Sequence, residues 1–255
     1  MTAGVAYLSE YVDRSYSIAY FLPVILAVVL YIFHGNIDFW YLKKHPAGLD
    51  RALNEWLKNN FVPFQHLDFK SKEKFKYRLE LYLNARLFTA RGSEDKEVPE
   101  DIKSLIAGYG IFLGLRQADF LLGDFDRVIL YGHPFPTPLQ NSLHSVEVNE
   151  EDGVIIINTA LLLQAFTNPW HYYNVAVHAY ISVFESIYGN LPEILHLEFP
   201  EKVVAWTVED ICNQIGLEEV LPGYVHVHHY VVFPNEYRLA YPALAIEIDR
   251  YLTRD

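Results

Sequence analysis

Residues 174–184, "NVAVHAYISVF", place a histidine in the setting of a hydrolytic metal helix. An apolar helix bearing His-Glu-x-x-His binds zinc through two histidines one turn apart, with the glutamate as general base. Here the five positions hold His178, Ala179, Tyr180, Ile181 and Ser182. Alanine cannot take a proton, and a serine hydroxyl is a poor zinc ligand. A hydrolytic zinc needs three protein ligands at about 2.0–2.2 Å. Glu185 shares the face of His178 but lies about 10 Å further along the axis, too far to share one ion. His171 fails by the same arithmetic on the other side. His226, His228 and His229, in "HVHHY", are the remaining donors. Two of them with His178 would complete a three-histidine site if their segment packs beside this helix. Otherwise His178 lines a pocket, and the other three read as partly exposed, aromatic-like residues.

Other nucleophiles are no better placed. Cys212 has Glu209 and Asp210 beside it, and negative neighbours raise a thiol pKa. Ser182 and His178 form an i, i+4 pair without a visible orienting acid, so a Ser/His hydrolase is not supported. Were a metal held, the missing carboxylate at position 179 would still cost about 10²–10⁴-fold in rate. Glu185 is the one acid left on that helix to replace it.

The elements that must position these residues follow from periodicity. "HPAGLD" (45–50) is a linker ending in an N-cap aspartate, and "RALNEWLKNNF" then reads as a short amphipathic helix broken at Pro63. A helix over 70–88 has an apolar stripe at Phe75, Leu79, Leu83 and Leu87, and its charge run "KSKEKFK" is a solvated face. "RGSEDKE" is a polar loop, and "VPEDIKSLIAGYGIFLGL" starts a helix at Pro99. Residues 127–133 and 153–159 are β-branched runs bounded by turns, hence strands, with a Pro-rich loop between them. "TALLLQAF", residues 171–188, "PEKVVAWTVEDICNQI" and "NEYRLAYPALAIEIDRYL" read as four more helices. The class is α+β, mostly helical with a small sheet in the middle.

One segment is unlike the rest. Residues 15–37, "SYSIAYFLPVILAVVLYIFHGNI", contain no Asp, Glu, Lys or Arg. Roughly 20 such residues span a bilayer as a helix. Tyr16 and Tyr20 at one end of it, and Trp40 and Tyr41 just past the other, suit the aromatic belts at the two interfaces. A cleaved signal peptide wants a positive leader and a small-residue cleavage site, and neither is present. Arg14 precedes the span, whereas Lys43, Lys44, Arg51 and Lys58 follow it. The excess of positive charge puts the N-terminus outside and the main domain in the cytoplasm. The net charge of −12, with no long basic run, argues against nucleic acid or anionic lipid as the main partner, since both demand Lys/Arg patches. The single cysteine excludes an internal disulfide framework and a Cys-rich zinc site.

The order of several phrases resembles the Mlc titration factor A (DgsA anti-repressor) family of zinc-dependent peptidases. Four stretches carry it: "FVPFQHLDFKSKEKFKYRLELYLNARLFTARG", "VPEDIKSLIAGYGIFLGL", "GVIIINTALLLQAFTNPWHYYNVAVHAY" and "YVVFPNEYRLAYPALAIEIDRYL". The resemblance runs from about Phe61 to Tyr251. It implies a zincin-like peptidase domain over 61–255, after a short extracytoplasmic N-terminus (1–14), a transmembrane helix (15–37) and a juxtamembrane linker and helix (38–60). It maps a vestigial metal site onto His178, Ala179, Ser182 and, counting back from Pro234, the third-ligand position near His228. With the base and second histidine replaced, the expectation is a degenerate member with no catalytic residues and no cofactor. Such a protein would act as a membrane-anchored, protein-binding or scaffolding pseudoenzyme, or as an accessory subunit of a membrane complex. The alternative is a divergent zinc-dependent peptidase using His178 with the histidines of 226–229.

Overall fold

The computed structural model describes residues 21–92, 97–189 and 198–252. The chain divides into two units, Met1–Ala47 and Gly48–Asp255. In the first, helix α1 (Leu22–Lys44) is long and apolar enough to cross a membrane and buries none of its residues. It runs past the expected end at Ile37, through Asp38 and Trp40, and finishes on Lys43 and Lys44. Cations there complement the negative end of the helix dipole, and the Lys44 ammonium lies 3.9 Å above the Trp40 ring. Residues 1–20, which hold the expected N-terminal segment and the start of the span, lie outside the described residues.

The second unit starts earlier than the domain expected over 61–255, because one short helix ahead of residue 61 joins its core. Asp50 caps α2 (Arg51–Asn60) by accepting the Ala52 N–H. Leu57 of that helix is buried, and Phe61 follows it into the core. That helix ends at Asn60 with Phe61 extended, and Pro63 then sits in the single turn α3 (Val62–Gln65), where its missing N–H costs nothing. Asp68 caps α4 (Phe69–Ala85) through the Ser71 N–H. The apolar stripe was expected to continue to residue 88, but Arg86 turns extended and strand β1 (Leu87–Arg91) begins. Leu87, counted in that stripe, is exposed.

After α5 (Glu100–Leu113) come β2 (Arg127–Tyr131), β3 (Val146–Asn149) and β4 (Val154–Asn158). They form one sheet in the order β1-β2-β4-β3, with β1, β2 and β4 parallel and β3 antiparallel to β4. The two strands expected from sequence are the central pair. The two edge strands have mixed composition, which hides them. Then follow α6 (Thr159–Thr167), α7 (Val175–Tyr188), α8 (Val208–Ile215), α9 (Pro222–Val232), α10 (Pro234–Ala240) and α11 (Pro242–Leu252). "PEKVVAW" is not helical; α8 starts only at a capping box in which Thr207 and Asp210 bond each other's backbone. The last expected helix is two, divided where Pro242 removes an N–H and clashes with the preceding turn. The class is α+β and mostly helical, as read from sequence.

Helix α7 lies at the centre, packed by α5, α9, β3 and β4. Its residues from Val175 to Ile181 are all buried. Tyr180 passes so close to α5 that a Cβ on Gly110 would stand 2.6 Å from its ring. Glycine is the residue that permits that approach.

Candidate functional site

The site is built around the start of α7. Asn174 caps the helix, its side chain accepting the N–H groups of Ala176 and Val177. The backbone N–H of Asn174 itself has no partner within the helix. It donates to Nε2 of His228, on α9, at 3.0 Å. Tyr173 stacks on the same imidazole, ring centroids 4.1 Å apart and planes 15° from parallel. Its hydroxyl shares a hydrogen bond with Nδ1 of His178, one turn into α7, at 3.1 Å. A chain of contacts therefore links His228, Tyr173 and His178, and it is both aromatic and buried.

On the other side of His178 stands Tyr224, ring centroids 5.0 Å apart. The Tyr224 hydroxyl donates to the Glu185 carboxylate, with Ser182 beside it. Burial and that carboxylate push the Tyr224 phenol well above its ordinary value. Glu185 is thus held by a tyrosine. Tyr180, also on α7, faces elsewhere: its hydroxyl meets that of Tyr82 at 3.1 Å.

"HVHHY" is not partly exposed, as sequence suggested, but buried throughout. Helix α9 has α7 on one face and α10 and α11 on another, so histidines on every side of it are covered. Each is held differently. His226 Nε2 donates to the Glu198 carbonyl at 2.8 Å, so its Nδ1 accepts from the Tyr237 hydroxyl at 2.7 Å. His229 Nδ1 donates to the Val225 carbonyl at 2.6 Å, and its ring packs against Trp206. His228 accepts at Nε2, which puts the proton on Nδ1, a buried atom without a partner. His171 is exposed and bonds Asn168.

These assignments test the donor set against zinc. A metal-bound imidazole offers a lone pair. His226 has none to offer, and that of His228 meets the Asn174 N–H. His229 keeps a free lone pair at Nε2. No group of three or more His, Cys, Asp or Glu could share a metal ion among the described residues. Ala179, at the position of the general base, is fully buried in the core. The described residues do not fit the ion.

Electrostatics agree with packing. Burial lowers His178 to about 4. Burial lowers His229 to about 4, although the Val225 carbonyl acts the other way. Burial, with His229 and His178 nearby, holds His228 well below the ordinary range. All three are neutral at pH 7. Burial first, then Glu219, raises the Cys212 thiol; the direction is the one expected, but the acid is not Glu209 or Asp210.

One concavity lies away from these histidines. A cleft of ≈ 260 Å³ is lined by Arg116, Tyr230, Arg238 and Asp249 among others. Its polar groups largely satisfy one another: Arg238 pairs with Asp249, and Tyr230 donates to Asp249. Tyr173, Tyr224 and Trp206 were missed from sequence. Asn174 could have been read, being a capping residue directly before an apolar run. Compared with known proteins, the sequence matches no family model and no curated protein.

Proposed function

We propose that this chain is a membrane-anchored, catalytically inactive relative of the zinc-dependent peptidases, acting as a protein-binding or scaffolding module. In this reading α1 crosses the bilayer with its N-terminus outside, and the unit from Gly48 onward faces the cytoplasm. The observation that carries the inactive reading is the bond from the Asn174 N–H to His228 Nε2. It makes the third-ligand position that the resemblance implies part of a helix cap. The buried Ala179 and the Tyr224-held Glu185 support it, since neither offers a free carboxylate to activate a water. The resemblance of phrase order supplies the family, and the mixed sheet packed on α7 is compatible with it.

A working peptidase built on His178 and the 226–229 histidines would need His228 to release Asn174, or His226 to release both Tyr237 and Glu198. Each release leaves a buried polar group unpaired, at a cost of about 1–3 kcal/mol. The scaffold reading is tested by size analysis of the native protein extracted in mild detergent. A discrete complex well above the mass of the 29.6 kDa chain in its micelle is expected. A chain that migrates alone at every detergent concentration would contradict an accessory or scaffolding role.

A further inference from the structure

Charge is distributed very unevenly along this acidic chain. Nine of its twenty lysines and arginines lie in residues 43–78, with only four of its thirty-two acids. They follow directly on α1. The chain between Lys44 and Arg51 is six residues, a tether of about 20 Å at full stretch.

Part of this positive charge surrounds a groove. A concavity of ≈ 510 Å³ between α2 and α4 is lined by Lys58, Lys72 and Lys76 and by one acid, Glu73, with Phe64 and Phe69. Lys72 lies over the Phe64 ring, 5.7 Å from its centroid. Lys58 and Lys76 pair with Glu55 and Glu73 on the surface, where such pairs are weak and exchange readily. Phe69, the first residue of α4, is 81% exposed at the rim. Lysines and a protruding aromatic are what a phospholipid headgroup region engages, phosphate pairing with the ammonium groups. Aromatic rings favour the same interfacial depth.

We propose that this face of α2 and α4 binds the anionic surface of the membrane that α1 crosses, taking headgroup phosphates between Lys58, Lys72 and Lys76 and seating Phe69 among the headgroups. The contact rests on the anchored reading. It goes beyond it by giving the second unit a membrane-facing side. Clustered juxtamembrane lysines are attracted to a negatively charged leaflet, and the attraction falls off within a Debye length.

The test uses the full chain reconstituted in lipid nanodiscs of phosphatidylcholine alone or with phosphatidylserine. Lysine acylation is followed residue by residue by mass spectrometry. In the anionic discs Lys58, Lys72 and Lys76 are expected to react at least about threefold more slowly, with the difference lost near about 0.5 M salt. Lys103 and Lys202 serve as references and should not change. Equal acylation in both disc types overturns the contact while leaving the anchor intact. A chain that enters neither disc overturns the anchor, and with it the premise of the contact.

Discussion

His228 shows how a residue type can mislead about its job. Its Nε2 closes the cap of α7, and its ring carries Tyr173. Removing the imidazole leaves a buried backbone donor unpaired and a cavity beneath the tyrosine. His228→Ala should therefore cost on the order of 2–4 kcal/mol in chemical denaturation; a loss under about half a kcal/mol would deny the cap its role. Acid should act through the same cluster. His178 and His229 sit near 4 in the folded chain, against about 6.5 when unfolded. Below the unfolded value the unfolded chain binds the extra protons, so stability falls as pH drops from about 6.5 and levels off near 4. The loss is on the order of several kcal/mol. Flat stability across that window would show the imidazoles to be solvated. His178 was legible from sequence because it sits in an apolar helical stripe. Its neighbours were not: Tyr173–His228 and His178–Tyr224 join segments some fifty residues apart, and no local pattern encodes them.

At the scale of elements, legibility followed local signals. Asp50 and Pro99 marked helix starts, and the β-branched runs marked β2 and β4. Edge strands β1 and β3 escaped because each pairs on one side only and carries polar or charged residues. Helix α9 escaped because its buried histidines dilute the apolar pattern. Helix ends offer a sharper test. Gly189 and Gly216 both terminate helices in the left-handed conformation, with φ of 60° and 75°. A Cβ at Gly189 meets open space, whereas one at Gly216 would lie 2.2 Å from the Leu143 carbonyl oxygen. Gly189→Ala should cost about 1 kcal/mol, for conformation alone. Gly216→Ala should cost on the order of 3 kcal/mol or more, because backbone must move. Equal thermal shifts for the two would contradict the packing of α8 against the loop before β3.

For the molecule as a whole, the contrast lies between α1, which buries nothing, and a second unit with its own aromatic-rich core. The anchored reading predicts that the full chain stays with membranes through an alkaline carbonate wash. Leu26→Arg with Val29→Arg should release it, since a central arginine opposes insertion by about 2.5–3.5 kcal/mol. Release of the unaltered chain would sink the anchor.

In the proposed reading the histidines of α7 and α9 serve structure and hold no metal. Metal content tests it most directly, measured by mass spectrometry on the full chain purified in detergent with zinc supplied, beside His178→Ala. Well under about a tenth of an equivalent in both is predicted, because a zinc site needs three free donors. Near one equivalent, lost in the variant, would contradict the account and restore the peptidase alternative.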